Sequence, residues 1–136
     1  MDFVKFSLSG FEDFLLYAGL SIMFIYLFMI VYLWLTPYSE LKLIKDGNVA
    51  AALSLSGSVL GFTFPLAAAI NQALHPWDMM IWAVIAALVQ LLVYVAVRYT
   101  LLNVVRRIPE GQVATGVVLA TISVSAGILN AACMTY

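Results

Sequence analysis

Charged side chains are scarce in this sequence. Its 136 residues include six Lys or Arg, seven Asp or Glu and one His, so that 10% of the chain is charged. Soluble domains average about 25% charged residues, and so few charges cannot cover a water-exposed surface. The formal net charge of −1 also gives no electrostatic basis for binding nucleic acid. The sequence therefore excludes an ordinary soluble domain and predicts no nucleic-acid partner.

Reactive groups are scarce as well. Cys133 is the single cysteine, and by itself it forms neither an intrachain disulfide nor a zinc site. His75 is the single histidine, and the sequence shows no Ser-His-Asp set, carboxylate pair or glycine-rich phosphate loop. We therefore predict that the protein is not an enzyme and has no catalytic residue, cofactor or metal ion.

Apolar residues make up 65% of the chain and are arranged in long runs. A membrane-spanning helix needs about 20 predominantly apolar residues. Four stretches meet this requirement, namely residues 14–36, 49–70, 79–102 and 113–134. The sequence thus predicts an all-α integral membrane protein, a single domain of four transmembrane helices joined by short connections.

The distribution of basic residues predicts the orientation of the chain, because loops rich in Lys and Arg stay in the cytoplasm. Lys42 and Lys45 lie in the first connection, and Arg106 and Arg107 lie in the third. The middle connection and the C-terminus contain neither Lys nor Arg. We therefore predict that both termini face outward.

A shift of 64 residues aligns the segment LIKDGNVAAALSL with the segment RIPEGQVATGVVL. The alignment places Gly47 on Gly111, each between an acidic residue and an amide just before a span. Duplication of a two-helix unit, over residues 11–71 and 75–135, is one explanation, and chance similarity of two Ala-rich helices is the alternative. Because two spans return the chain to its starting side, duplicated units would be parallel, with a pseudo-two-fold axis along the membrane normal.

Small residues are concentrated in the second and fourth predicted spans. Gly57 and Gly61 form a G-x-x-x-G pattern in the second span, and Gly116 and Gly127 lie among Ala and Ser in the fourth. Small residues let helix backbones approach closely, which is how many membrane helices associate. We predict that these four glycines pack helices together, inside the bundle or between subunits. Their number exceeds what one four-helix bundle requires, so we also predict a homo-oligomer.

A proline and three polar residues interrupt the apolar spans. Pro65 removes the helical hydrogen bond to the carbonyl of Gly61 and predicts a kink, with a hinge or an ion-coordinating notch as the alternative. Gln90 and Asn130 predict interhelical hydrogen bonds, for which substrate binding is the alternative. Arg98 lies close enough to the end of its span to reach the membrane surface as an anchor.

Three strings together resemble the YjfL family of small bacterial inner-membrane proteins, namely TPYSELKLIKDGNVAAALSLSGSVLGFTFPLAAAI, IWAVIAALVQLLVYVAVR and GILNAACMTY. The resemblance implies a four-span protein of the bacterial cytoplasmic membrane, built from two copies of a two-span unit. The outward-facing termini would then be periplasmic. It also implies a genomic neighbourhood with membrane-stress proteins of the phage-shock type and glutathionylspermidine-synthase-like ligases. It implies no established activity and no catalytic residues.

The resemblance singles out a set of recurrent residues. They correspond here to Gly47, Asn48, Ala51, Ser56, Gly57, Gly61, Pro65, Gln90, Arg98, Asn130 and Cys133. We interpret them as structural candidates. The second unit departs from this pattern, since Thr121 and Ser125 stand where the first unit has Gly57 and Gly61.

Three hypotheses for function follow. We favour a non-enzymatic, self-associating membrane protein that supports envelope homeostasis under membrane stress, with the lipid bilayer, further copies of itself and a cytoplasmic membrane-stress protein as partners. The alternative is an oligomeric channel for ions or small solutes, lined by Ser54, Ser58, Thr63 and Ser123. A third hypothesis is an adaptor that binds a cytoplasmic partner through residues 37–46. Because no span contains a carboxylate, proton-coupled efflux of cations is disfavoured.

Overall fold

The computed structural model describes residues 2–100 and 103–134, and all regular secondary structure in these residues is helical. The helices are α1 (Asp2–Leu35), α2 (Glu40–Lys45), α3 (Val49–Gln72), α4 (Pro76–Thr100), α5 (Val104–Arg107) and α6 (Val113–Cys133). Four of them, α1, α3, α4 and α6, are long and apolar enough to cross a membrane. This confirms the prediction of an all-α fold with four spans.

The first helix is longer than the sequence analysis predicts. α1 begins at Asp2, twelve residues before the predicted start at residue 14, because no proline interrupts the intervening segment. Its 34 residues rise about 51 Å, which exceeds the roughly 30 Å of a hydrocarbon core. α1 ends at Leu35, where Pro37 disfavours a helical conformation for Thr36.

The other boundaries lie close to the predicted ones. α4 begins at Pro76, three residues before the predicted start, because proline suits the first position of a helix. Residues 101–102, the predicted end of this span, and residue 135, the predicted end of the second unit, lie outside the described residues.

α3 is the most enclosed of the four long helices. About half of its most apolar segment is buried, against 22% for α6 and 11% for α1. The small residues of both helices are predicted to pack inside the bundle or between subunits, and α6 packs one of its faces on α3. Its other face is exposed and apolar, at Val117, Val118, Ile128 and Leu129.

α3 and α6 lie in parallel and touch through small residues. A Cβ atom on Gly57 would lie 2.5 Å from the Cα of Ala120, and one on Gly116 would lie 2.8 Å from the carbonyl oxygen of Ala50. Real Cβ atoms do not approach backbone so closely, so glycine is required for this helix spacing. The contacts advance in the same direction along both helices, which establishes their parallel arrangement.

Aromatic side chains join α1 to α3 and to α4. The rings of Phe28 and Phe62 stack with centroids 4.7 Å apart, joining α1 to α3. The rings of Tyr32 and Tyr94 meet edge to face at 5.0 Å, joining α1 to α4. Such pairs contribute about 0.5–1.5 kcal/mol each beyond the area that they bury. Aromatic rings thus form the contacts of α1 with α3 and with α4, and the rings of Tyr32 and Tyr94 carry hydroxyl groups.

Two similar turns precede α3 and α6. In the first, Gly47 has a φ of 89° and its N–H donates to the carbonyl of Ile44 at 3.0 Å, while the N–H of Asn48 donates to Leu43 at 2.9 Å. The second turn repeats both bonds 64 residues later, around Gly111 with a φ of 77°. Each turn sends the chain back into a long helix.

Asn48 ties the two turns together. Its side-chain oxygen accepts from the N–H of Ala51 at 3.0 Å and so caps α3. Its side-chain nitrogen donates to the carbonyl of Ile108 at 2.9 Å, in the opposite turn. Gln112, the corresponding residue of the second turn, makes no side-chain cap. The start of α3 is therefore anchored more firmly than the start of α6.

Replacing Gly47 by alanine is expected to destabilise the fold by about 1–2 kcal/mol, because a Cβ atom is unfavourable at positive φ. Space is not the cause, since nothing lies within 4 Å of a Cβ built there. Unfolding in mixed detergent micelles measures the effect. Gly10→Ala, at an exposed helical position that is equally open, is the control and should show no loss. Equal stability of the two variants would contradict the prediction.

Candidate functional site

The four glycines of the sequence analysis all lie at the contact between α3 and α6 of one chain. Besides Gly57 and Gly116, a Cβ atom on Gly127 would collide with the carbonyl oxygen of Gly61. A Cβ atom on Gly61 would collide with the carbonyl oxygen of Ser123. Packing inside a single chain thus uses these glycines, and their number no longer argues for a homo-oligomer.

Pro65 is buried within α3, which continues as a helix on both sides of it. The carbonyl of Gly61, which lacks its usual helical donor because residue 65 is proline, lies directly against Gly127. An ion-coordinating notch at this carbonyl would require Gly127 to move away. The kink at Pro65 stays a prediction.

Gln90 connects α4 to α6. Its side chain is 2% exposed, and its nitrogen donates to the carbonyl of Ser123 at 2.8 Å, so the partner is a backbone group rather than the side chain of Asn130 or a hydroxyl. The side-chain oxygen of Gln90 and the side-chain nitrogen of Asn130 are buried without a hydrogen-bond partner among the described residues.

Arg98 reaches the end of α1. Its Nη1 donates to the carbonyl of Leu35 at 3.1 Å, and its guanidinium carbon lies 5.0 Å from the centre of the Tyr99 ring. The last carbonyls of a helix lack intrahelical donors, and a cation there also complements the helix dipole. Arg98, a residue of the neighbouring α4, therefore caps the C-terminus of α1.

The four residues suggested as a pore lining do not face a common surface of the chain. Ser54, Ser58 and Ser123 are buried between helices, and the hydroxyl of Thr63 donates back to the carbonyl of Val59 at 2.8 Å. A channel lined by the three serines would have to open within one chain rather than between copies. The channel stays a hypothesis.

A buried carboxyl group that was not singled out from the sequence lies beside Ser54 and close to Ser58. Glu40, the first residue of α2, is 2% exposed. The hydroxyl of Tyr32 donates to its Oε1 at 3.4 Å and lies 2.5 Å from the hydroxyl of Ser54. Its second oxygen, Oε2, is buried and has no hydrogen-bond partner among the described residues. We call Glu40 with its surrounding hydroxyl groups the Glu40 cluster, which comprises Tyr32, Tyr38, Glu40, Ser54, Ser58 and Tyr94.

The remaining hydroxyls of the Glu40 cluster are also short of partners. Those of Tyr38 and Tyr94 are neighbours, and neither has a well-aligned hydrogen-bond partner among the described residues. The hydroxyl of Ser58 is buried near that of Tyr32 and is equally unsatisfied. Buried polar groups are normally paired, and each unpaired group costs about 1–3 kcal/mol. The cluster therefore has free hydrogen-bonding capacity at its centre.

Burial raises the pKa of two groups of the Glu40 cluster that lie outside the four long helices, Tyr38 and Glu40. Burial raises the pKa of Glu40 to about 7, although the neighbouring hydroxyls of Tyr32 and Ser54 act in the opposite direction. Burial, followed by the nearby Tyr94 and Glu40, raises the pKa of Tyr38 far above its usual value, so that its hydroxyl stays protonated at neutral pH. The Glu40 carboxyl can thus exist in both protonation states near neutral pH, surrounded by neutral hydroxyls.

A recess in the surface leads to the Glu40 cluster at the corner between α1 and α2. It is lined by Leu33, Thr36, Pro37, Tyr38, Ser39, Glu40 and Leu41. This corner coincides with the segment suggested as an adaptor surface, of which Leu41 is exposed whereas Leu43 and Ile44 pack partly against the core.

The sequence contains a weak signal for this site. The segment TPYSELKLIK places Glu40 after a proline, where an acidic residue at the start of a helix normally faces water. Its burial depends on how α2 folds against α1, α3 and α4, which a linear pattern does not contain. Tyr32 and Tyr94 lie in different spans, 62 positions apart in the sequence, and only their packing brings them to Glu40.

Comparison with known proteins gives a family but no activity. Residues 6–134 match the family described as Domain of Unknown Function (DUF350). The UPF0719 inner membrane protein YjfL of Escherichia coli, from strain K12 and from strain O157:H7, is 36% identical over 120 residues, which covers 88% of this chain and 91% of the relative. No solved structure matches the chain. The match over nearly all of its length shows that this four-span chain belongs to the DUF350 family.

Proposed function

We propose that this chain is a non-enzymatic, self-associating multi-pass protein of the bacterial inner membrane, with both termini in the periplasm. Its relative in Escherichia coli is named an inner membrane protein, which supports this membrane. The basic residues of the first and third connections support the orientation.

We also propose that the chain arose by duplication of a two-helix unit, over residues 11–71 and 75–135. The two turns with positive φ glycines and the same backbone hydrogen bonds, 64 residues apart, support it. The parallel packing of α3 and α6 supports a pseudo-two-fold axis along the membrane normal. Chance similarity of two helices would not by itself reproduce the geometry of the preceding turns.

One observation carries the proposal of self-association. A surface groove runs between α3 and α6 on the side away from α1 and α4, and it has a floor of small residues at Gly57 and Ala120. Three hydroxyl side chains on its rim are exposed, namely Ser56, Thr121 and Ser125. In a bilayer this groove would face hydrocarbon, which offers hydrogen-bonding groups no partners.

The three hydroxyl groups of the groove differ in whether they form a hydrogen bond within the chain. Thr121 donates back to the carbonyl of Val117 at 2.8 Å. The side-chain hydroxyls of Ser56 and Ser125 form no hydrogen bond with another described residue. A second copy that lies in the groove would supply partners to both, and the small floor would allow its backbone to approach. This groove, rather than the four buried glycines, is therefore the surface that we assign to self-association.

Substituting both Ser56 and Ser125 by leucine is expected to shift the protein from oligomer to monomer in lipid vesicles, because the two side chains fill the groove and remove its hydroxyls. Energy transfer between labelled copies, measured while the membrane is diluted with lipid, reports the shift. The expected change in apparent dissociation constant is about tenfold, given roughly 1–2 kcal/mol for such contacts.

Ser7→Leu together with Ser9→Leu, on the exposed start of α1, is the matched control, since it adds the same two side chains away from the groove. The control should associate as the natural chain does. A natural chain that is monomeric at high protein-to-lipid ratio would refute self-association, and equal loss in both double variants would refute the assignment to the groove.

The physiological part of the proposal is support of the envelope under membrane stress, with a cytoplasmic membrane-stress protein as partner. It rests on the resemblance described above and not on the geometry. The recess at the α1–α2 corner, which lies on the predicted cytoplasmic side, is the surface of the adaptor hypothesis.

A further inference from the structure

The Glu40 cluster is a second feature of the chain, and it is independent of the groove between α3 and α6. We propose that Glu40 and the hydroxyl groups around it form a proton-binding site that is reached from the solvent at the α1–α2 corner. The site takes a proton from hydronium, which leaves as water, and the Glu40 carboxylate becomes a neutral carboxylic acid. Release is the reverse step.

The Glu40 cluster contains a surplus of buried polar atoms. Oε2 of Glu40 and the hydroxyls of Ser58 and Tyr94 are buried and unpartnered among the described residues, while Ser58 and Tyr94 are each 1% exposed. Such atoms require a ligand that can both donate and accept hydrogen bonds, because leaving them unpaired is costly. A proton with enclosed water meets this requirement, since hydroxyls act as donors to the carboxylate and as acceptors from the acid.

Among the residues of the Glu40 cluster, Glu40 alone can carry a charge at neutral pH, and that charge is one carboxylate. No Lys or Arg among the described residues lies within salt-bridge distance of Glu40, and Arg98 is directed to the carbonyl of Leu35. Calcium sites use 6–8 oxygen ligands and usually several carboxylates. No group of three His, Cys, Asp or Glu residues that could hold a metal ion occurs in the described part of the chain. An unpaired buried carboxylate is most simply neutralised by a proton.

The groups facing Glu40 come from each element around it. α1 contributes Tyr32, the α1–α2 connection Tyr38 and α4 Tyr94, each of which interacts electrostatically with Glu40 or a cluster hydroxyl. α3 contributes only the uncharged Ser54 and Ser58. The lysines of α2, Lys42 and Lys45, are exposed. No neighbour therefore holds the carboxyl in its ionised form by a direct ion pair.

The Glu40 cluster adjoins a recess in the surface of the chain. Glu40 and Tyr38 line the recess at the surface, together with the hydroxyl-bearing Thr36 and Ser39. The Glu40 carboxyl is buried, but its residue borders this solvent-facing recess at the end of the bundle, so that a proton need not cross the hydrocarbon. With a pKa of about 7, the carboxyl would exchange its proton in the range of cytoplasmic pH.

Carboxyl carbon signals of the full-length chain in lipid nanodiscs test the proposal. The chain contains three glutamates, Glu12, Glu40 and Glu110, so glutamate labelled with carbon-13 at the carboxyl gives three signals. Glu12 and Glu110 are exposed and serve as internal controls. We expect one signal, absent from Glu40→Gln, to titrate at a midpoint at least one pH unit above the other two. Should Glu40→Gln fail to fold, the variants Glu12→Gln and Glu110→Gln assign the same signal by elimination.

The proposal would be overturned if the Glu40 signal titrated together with the signals of the two exposed glutamates. It would also be overturned if the Glu40 signal did not move between about pH 5 and about pH 9. Replacing sodium chloride by choline chloride should leave its midpoint unchanged. A midpoint that depends on sodium would overturn it in favour of a cation site. Tyr32→Phe removes a donor to the carboxylate and should raise the midpoint further.

Stability gives a second readout. The folded chain holds the Glu40 proton more tightly than an unfolded chain, so this contribution to stability is complete below the ordinary carboxyl pKa of about 4.3 and declines as the pH rises through about 7. The difference in free energy of unfolding between the natural chain and Glu40→Gln should change over this window. A difference that is independent of pH would contradict the proposal, whatever the result for self-association.

Discussion

Replacing Gly127 by alanine is expected to destabilise the fold by about 3 kcal/mol or more, the upper part of the range for overpacked sites. The Cβ atom would collide with the carbonyl oxygen of Gly61 and would also lie 2.5 Å from its carbonyl carbon and 2.7 Å from its Cα. All three atoms are backbone, so no side chain can rotate out of the way. α3 and α6 would have to separate along their shared contact. The free energy of unfolding in mixed detergent micelles measures the loss.

Gly19→Ala is the matched control for this substitution. Gly19 lies within the membrane-spanning part of α1, and nothing is found within 4 Å of a Cβ atom built there. Alanine in place of glycine inside an open helix is favourable by about 0.5–1 kcal/mol. The two variants should therefore change stability in opposite directions. If Gly127→Ala were as stable as Gly19→Ala, the close parallel packing of α3 and α6 would be wrong.

Replacing Phe62 by alanine is expected to cost about 3 kcal/mol, the lower end of the range for buried phenylalanine. Phe62 is fully buried and stacks on Phe28 of α1, so its loss leaves a cavity where α1 meets α3. The lower end applies because lipid is as apolar as the side chain, and packing rather than transfer from water is lost. The same unfolding measurement tests it, and proteolysis of α1 should become faster as its docking weakens.

Phe64→Ala, two residues further along the same helix, is the control for Phe62→Ala. Its side chain is 44% exposed, so the substitution exchanges contacts with lipid more than contacts with protein. We expect a change below about 1 kcal/mol. Equal losses at the two positions would show that α3 is not oriented toward α1 as described.

The number of spans and the places where the chain turns could be predicted from the sequence, because both depend on local properties. A run of about 20 apolar residues crosses a bilayer whatever its neighbours are. Gly47 and Gly111 mark turns because positive φ is a local demand of the backbone. The helix α1 begins before the predicted span, because the span is bounded by the apolar run whereas a helix continues until a breaker such as proline.

The candidate sites were predictable to a smaller extent. Gly57 and Gly61 identified a close helix contact, but the pattern contains nothing that distinguishes a partner in the same chain from one in a second copy. Gln90 indicated an interhelical hydrogen bond, and its acceptor proved to be the backbone of Ser123, which residue types cannot reveal. Both answers depend on which helices are neighbours.

Composition and the length of the apolar runs thus determined that the chain is helical and has four segments able to span a membrane, because each of these properties follows from the apolarity of single segments. Only the tertiary structure decided that the four glycines lie at the contact between α3 and α6. It also decided that Glu40 is buried beside Tyr32 and Ser54. The physical reason is that burial is a property of several segments together. A short helix that ends in water and one that folds under its neighbours can have the same sequence pattern.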